Sequence, residues 1–558
     1  MSLDFRDDKR AATEKDKTAP SPWWRGGVIY ECHLPSLRDG NNDGIGDLAG
    51  LTESLGYLSD TLGVDAIWTG PFYESPLLDQ GFDVSNYTAV ESVFGTLEDF
   101  DNLVAEAHRR GVRIIVDYIP NHTSDQHPWF HASRSSRTDP KRDWYVWLDP
   151  AAGGGVPNNW TSEAGGSVWE FDEHTSQYYL HSHLKEQPDL NWRNPEVRAA
   201  LLDVLRFWLQ RGVDGIRIDV AHMLMKDPEF KDNPESPGND NVFDLQHADF
   251  GTQVHLYDRR HPDTHDVLTQ IRAVVDEFPD VVTIAEIEAM PWQDWAMYYG
   301  ERLTGMHLPF PFRLLETPWQ ADLLQAELIG MYESLPPDAW PIIALGNHDR
   351  KRLATRLGAA QAKVAAVLLL TLAAAPCLLY GDELGMTDQD VPAERGRDYF
   401  ATTVGGVSRD GTRTPMPWNS ARNAGFSDAD ESALWLPIAE DAEKISVEAQ
   451  VGDPLSPLSM YRQLIALRSA SRALHHGDIT IARREPTGGA LVYERRHDDD
   501  HKVIALNLTE QPVSVDLPHG GDVVFSTHPA TRGQTVGPAI ELAADEAVVI
   551  DVKGAPRA

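Results

Sequence analysis

GVDGIRIDVAH, residues 212–222, is a run of small and β-branched residues that reads as a buried strand. It ends in Arg217 and Asp219, a charged pair for which a core strand has no structural use. Outward from it lie seven similar runs. VIYECHL (28–34), DAIWTGPF (65–72) and VRIIVDYI (112–119) precede it, and VVTIAEIE (281–288), HLPFPF (307–312), PIIALGN (341–347) and PCLLYG (376–381) follow. Amphipathic helical stretches separate them, as at 48–62, 97–110 and 195–211. Strands alternating with helices predict an α/β protein with a parallel sheet, and eight such strands close a (β/α)8 barrel. An open doubly wound sheet would carry a glycine-rich phosphate loop after its first strand, and none is present.

The barrel is predicted to occupy 23–119 and 195–474. Between them, 120–194 is rich in Trp, Gly, Asn, Asp and His without periodicity, which predicts a loop-rich subdomain inserted after the third strand. Residues 475–558 alternate short strands such as LVYERR, KVIALNL and AVVIDV with turns, predicting a separate antiparallel β domain. Residues 1–22 are charged, lack an apolar core and read as a disordered tail rather than a secretion signal. The apolar run 364–380 is broken by Pro376 and reads as a helix followed by a strand, not a membrane span.

The chain has 558 residues, 41% hydrophobic and 24% charged, ordinary values for a globular protein. Lys plus Arg number 49 against 86 Asp plus Glu, a net charge of −37, which argues against nucleic acid or an anionic membrane as partner. Cys32 and Cys377 lie far apart in apolar segments and read as buried thiols of a reducing, cytoplasmic compartment. Oligomeric state leaves no signature.

In a barrel, the loops at the C-terminal strand ends converge over one mouth. The first strand leads to Asp39 and the second to Asp83. The third gives Asp117, Asn121 and His122, the fourth Arg217 and Asp219, the fifth Glu286 and Glu288, and the seventh His348 and Asp349. Any one of these could cap a helix or complete an ion pair; together they predict a cleft of acids, histidines and an arginine. Like charges in one cleft separate their pKa values, so one carboxyl keeps its proton while another stays ionised. Retaining glycoside hydrolysis requires that division of labour.

With DYIPNH (117–122), GIRIDVAH (215–222), TIAEIE (283–288) and GNHD (346–349) in this order, the chain from about Trp23 onward resembles the α-amylase superfamily, glycoside hydrolase family 13. QPDLN (187–191), YGDELGM (380–386) and RDGTRTPMPW (409–418) resemble its α-glucosidase and oligo-1,6-glucosidase branch. The resemblance implies that Asp219 is the nucleophile, Glu286 the general acid and base, and Asp349 a stabiliser of the transition state. It implies that Arg217 keeps Asp219 ionised and that His122 and His348 bind the glucosyl unit. Glu286 is favoured over Glu288 because the family acid sits in a T-x-x-E frame beginning at Thr283. Asp83 matches the position that recognises the terminal glucose, with Arg413 as its partner, and Phe82 replaces a frequent Tyr whose ring stacks on sugar.

DGNNDGIGD (39–47) spaces oxygens at Asp39, Asn41, Asp43 and Asp47 with the Ile45 carbonyl between, much like the start of an EF-hand loop, but with Gly50 at the twelfth position. The resemblance implies a structural Ca2+ or Mg2+ there, and no organic cofactor is expected. The implied activity is an exo-acting α-glucosidase on small oligosaccharides such as maltose, with glucosyl transfer through the same intermediate. Alternatives are an oligo-1,6-glucosidase, to which Val220 points while Ala221-His222 points to α-1,4 bonds, and a sucrose- or trehalose-acting hydrolase or isomerase. A non-catalytic transporter accessory protein is the remote alternative, disfavoured by the intact triad and the lack of an anchor.

Overall fold

The computed structural model of the protein describes residues 21–236, 249–399, 401, 408–482 and 488–552. The expected N-terminal tail lies outside them apart from Ser21 and Pro22. Eight parallel strands stand where the sequence places them: β1 Ile29–Cys32, β2 Ala66–Thr69, β3 Arg113–Tyr118, β4 Gly215–Ile218, β5 Val282–Ile287, β6 Leu308–Pro311, β7 Ile342–Ala344 and β8 Ala375–Leu379. Their order is β6-β5-β4-β3-β2-β1-β8-β7. The two end strands, β6 and β7, lie against each other and bring the sheet round into a barrel. Nearly every strand residue is buried, because helices cover the outside and side chains fill the inside; this is why the strands read as continuous apolar runs.

Ile29, Trp68, Ile115, Ile284, Phe310, Ala344 and Cys377 belong to one inner cluster, to which every strand except β4 contributes. The corresponding positions of β4 are Gly215 and Arg217. A Cβ at Gly215 would lie 2.7 Å from Ile115 and 2.8 Å from Val282, so glycine is required for the neighbours to close. The next residue on that face is therefore free to send a charged side chain into the upper barrel.

The crossover helices follow local rules. Asn194 caps the helix Pro195–Gln210 by accepting from Glu196 N, and Val197, Leu201, Val204, Leu205 and Trp208 form its buried stripe. Thr96 and Asp99 make a reciprocal capping box at the start of Leu97–Arg109. Among the described residues one helix, Leu353–Thr371, is long and apolar enough to cross a membrane. It packs against both the barrel and the C-terminal sheet, which accounts for its apolar surface.

The insertion is more regular than expected. It holds a helix, Pro128–Ser135, and an antiparallel sheet of Trp147–Leu148, Gln177–Leu180 and Trp169–Asp172. Strands of two to four residues are too short to register a period of two, so the sequence reads them as loop. The C-terminal region has a six-stranded antiparallel sheet and a two-stranded one. In chain order their strands are β9 Asp478–Ile481, β10 Ala490–His497, β11 Asp500–Asn507, β12 Val513–Asp516, β13 Gly521–Ser526, β14 Thr535–Val536, β15 Ala539–Leu542 and β16 Ala547–Asp551. The larger sheet runs β9-β10-β11-β16-β13-β14, and β12 pairs with β15.

Candidate active site

Arg217 is 1% exposed and binds three carboxylates. One terminal nitrogen donates to Asp117 at 2.8 Å and to Asp219 at 2.7 Å, and the other to Glu286 at 2.7 Å. Asp117 also accepts from Trp68 Nε1 at 3.0 Å, which fixes it beneath the other two. One guanidinium cannot neutralise three buried acids. Burial raises Asp219 to about 6, with Arg217 opposing and Asp117 adding to the rise. Burial likewise raises Glu286 to about 7, with Arg217 opposing and Asp219 adding to it. The order leaves Asp219 the more readily ionised and Glu286 the keeper of the proton.

Glu286 has a second donor, the amide of Val220, at 2.9 Å. That amide points at the carboxylate because Val220 has φ +36° and ψ 47°, a left-handed conformation that a β-branched residue adopts only under strain. Glu286 therefore has a fixed direction beside Asp219.

A cavity at the C-terminal mouth is lined by Asp219, Glu286, Asp349, His122, His348 and Phe82, all predicted site residues. His348 Nδ1 donates to Glu31, at the end of β1, at 2.5 Å, and its Nε2 lies 3.3 Å from Asp349. Burial alone would lower the His348 pKa, but Asp349 and Glu31 outweigh it and raise it. Burial opposes ionisation of Asp349 too, yet His348, Arg409, Arg413 and Arg350 hold it far below the usual carboxylate range. His122 is the opposite case: burial lowers it to about 3, so the ring is neutral, and its Nε2 donates to the Phe82 carbonyl at 3.2 Å. The Phe82 ring stacks on His348 at 5.7 Å between centroids and 15° between planes.

Three predicted positions lie behind the cavity wall rather than on it. Arg217 does so as the hub. Asp83 is fully buried and is consumed by its own turn, accepting from Leu78 N at 2.9 Å, Asp79 N at 3.0 Å and Ser75 Oγ at 3.0 Å. Arg413 meets Asp349 at 2.8 Å and the His348 carbonyl at 2.9 Å, not Asp83. The acid–arginine pair that lines the cavity is instead Asp79–Arg409, at 2.8 Å. Arg409 also reaches Asp349 at 3.2 Å and Asp398 at 2.8 Å. Arg409 opens RDGTRTPMPW, a motif already singled out, whereas Asp79, three positions before Phe82, stood in none and was missed.

Glu288 lines the same cavity in a different setting. It meets Arg259 at 3.3 Å, Arg260 at 3.0 Å and His222 at 3.6 Å. Burial pushes its pKa up, but His222, Arg259 and Arg260 together outweigh it and leave it lowered. Arg259 also binds Glu163 of the insertion at 2.9 Å, so the inserted subdomain and β5 share one arginine. Neither Arg259 nor Glu163 was legible in the sequence, because both lie in aperiodic segments.

The Asp39–Asp47 loop lies at the other side of β1. Asp39 accepts from Asn42 N at 2.7 Å, Gly44 N at 2.8 Å and Ser427 Oγ at 2.5 Å, while Asp47 caps the following helix through Gly50 N at 2.6 Å. Gly44 has φ +97°, and a Cβ there would strike the Ala433 carbonyl at 2.2 Å. Burial raises Asp47, and Asp39 and Asp43 add to the rise. Among the described residues none of these three carboxylates has a Lys or Arg within 4.0 Å. Carboxylate, amide and carbonyl oxygens are the donor types a hard cation takes, but in this structure the three carboxylates do not bring one oxygen each within 4.8 Å of the others.

Comparison with known proteins agrees with this geometry. Residues 33–477 match the family model described as alpha amylase, catalytic domain, and 481–549 match a domain of unknown function. A probable alpha-glucosidase of Rhizobium meliloti (strain 1021) is 40% identical over 89% of this chain and 91% of its own. An oligo-1,6-glucosidase of Parageobacillus thermoglucosidasius is 32% identical over 89% and 92%. Among solved structures, an alpha-glucosyl transfer enzyme superposes with a TM-score of 0.89 at 36% identity, covering 96% of this chain and all of the other. The trehalulose synthase of Pseudomonas mesoacidophila MX-45 gives 0.85 at 33%, with the same coverage.

Proposed function

The chain belongs to the α-amylase family of glycoside hydrolases, and from that membership we propose that it is a retaining, exo-acting α-glucosidase that removes glucose from the non-reducing end of short α-glucosides. Asp219 attacks the anomeric carbon while Glu286 gives its proton to the leaving oxygen. The resulting β-glucosyl ester on Asp219 is opened by water, from which Glu286 takes a proton, and the glucose leaves with its α configuration restored. Asp349, held ionised by its arginines, grips ring hydroxyls as positive charge develops at the anomeric centre. A sugar hydroxyl in place of water gives glucosyl transfer by the same chemistry.

The observation that carries this reading is the Asp79–Arg409 pair with Asp349 behind it. These groups form a charged wall suited to the hydroxyls of a terminal glucose. The test is maltotriose hydrolysis followed by anomer-resolved NMR. Glucose released singly and first as the α anomer is the expected result. Release of β-glucose first, or cleavage inside longer chains, would overturn it.

Linkage preference is the second part of the proposal. Val220 lines the cavity next to Asp219, and in this reading its side chain borders the leaving group and biases which bond is cut. Parallel assays on maltose, isomaltose, sucrose and trehalose rank the bonds, and an isomerised disaccharide accumulating from sucrose would favour the isomerase reading. The proposal also includes a structural Ca2+ or Mg2+ held by Asp39, Asn41, Asp43, Asp47 and the Ile45 carbonyl, which would supply the missing positive charge. A cytoplasmic setting fits the two buried thiols Cys32 and Cys377, which stand free on adjacent strands.

A further inference from the structure

The C-terminal sheet carries a group of side chains that the reaction does not use. Glu494 on β10 and His501 on β11 are diagonal neighbours on one face, since His501 is the register partner of Arg496. His501 Nε2 lies 2.7 Å from Glu494 Oε2. His519, in the turn between β12 and β13, brings its Nε2 to 3.6 Å from the same oxygen. The two imidazoles are 5.0 Å apart at 72°. One ligand atom from each of the three residues lies within 4.8 Å of the others, and this is the one such group of His, Cys, Asp or Glu among the described residues.

A hydrogen bond accounts for the shorter contact but not for the longer, which exceeds hydrogen-bonding range. A tetrahedral cation with bonds of about 2.0–2.1 Å spaces its ligands about 3.3 Å apart. That spacing falls between the two distances observed. Among the described residues Glu494 pairs with no Lys or Arg, and the ion partners it has there are the two imidazoles. His501 is 3% exposed and held in place by the sheet, whereas the His519 side chain is 53% exposed and free to swing inward.

We infer that Glu494, His501 and His519 form a site for a divalent cation of the zinc class. Two imidazole nitrogens and one carboxylate oxygen supply three corners of a tetrahedron, and water supplies the fourth. The ion fastens the β12–β13 turn, which joins the two-stranded sheet to the six-stranded one, onto the β10–β11 hairpin. Because it binds the folded chain and has no such site in the unfolded one, it raises thermal stability with concentration.

The test uses the full chain, free of any histidine tag and stripped with a chelator, in equilibrium dialysis against zinc chloride, with parallel thermal melts. The expected result is one zinc per chain and a melting temperature that rises with zinc. His519→Ala and Glu494→Gln alter side chains at the surface, keep the far-ultraviolet circular dichroism of the parent, and weaken uptake at least about tenfold. A neighbouring histidine group, His475, His476 and His497, has rings 4.6 and 5.4 Å apart and serves as the control. His476→Ala leaves uptake unchanged. No uptake by the parent, uptake that survives both site variants, or uptake lost in His476→Ala would each overturn the assignment.

Discussion

Arg217 and Arg259 each face three carboxylates, all buried around Arg217 while Glu163 and Glu288 beside Arg259 are half-buried, and the two sets of acids titrate in opposite directions. Around Arg217, Asp117, Asp219 and Glu286 are all raised. Around Arg259, Glu163, Asp258 and Glu288 are all lowered. Burial pushes every one of the six upward, so burial does not distinguish them. The count of cations does. The second set has Arg260 on Glu288 at 3.0 Å besides Arg259 itself, whereas Arg217 is the one arginine that binds the first. Where positive charge is short, a proton makes up the difference, and a carboxyl that holds a proton near neutral pH can donate it.

The comparison breaks most visibly at the acids themselves. Glu286→Gln should lower kcat for a natural glucoside by about 10^4-fold, the upper range for a lost acid–base group, and Asp219→Ala, which removes the proposed nucleophile, should cost at least as much. Glu288→Gln should cost less than about tenfold, since its role is structural charge balance. Equal losses at 286 and 288 would mean that the acid is misassigned. Next in size is the removal of either arginine. Arg217→Gln strands three buried acids and should cost about 3–5 kcal/mol of stability in a denaturant melt. Arg259→Gln leaves other cations in place, and its melt should shift less.

The pH profile sharpens the contrast. The proposed mechanism has Asp219 ionised and Glu286 protonated, so kcat/KM should fall below about 6, where Asp219 gains a proton, and above about 7, where Glu286 loses one. Asp117→Asn removes an acid that raises Asp219. It should carry the acidic limb to lower pH, while Glu163→Gln, in the other set, should leave both limbs where they are.

The barrel was legible in the sequence because each strand is a continuous apolar run that ends in charge, and strand ends in a barrel share a mouth. Asp219, Glu286, Asp349, His122 and His348 could be placed on that rule. Asp79 and Asp83 could not be told apart, because they are four residues apart in one turn and sequence does not say which carboxylate its own backbone will consume. Asp83 accepts from two amides and a hydroxyl of that turn, leaving Asp79 to meet Arg409, 330 residues away. Apart from Glu288, which the sequence places at the end of the fifth strand, the Arg259 set was invisible for a related reason: Glu163, Asp258 and Arg259 come from irregular segments whose meeting depends on how the insertion folds over β5.

Val220 ties two properties of the enzyme together. Its side chain lines the cavity, while its backbone, held left-handed, presents the amide that steadies the charged form of Glu286 and works to lower its pKa. A substitution that reshapes the first also changes how readily the second is held, because β-branched, unbranched and glycine residues tolerate that backbone to different degrees. Variants at 220 assayed on maltose and isomaltose across pH should show bond preference and the alkaline limb moving together. On the proposed mechanism, a change at this residue toward a new glucosidic bond brings a new optimum pH with it.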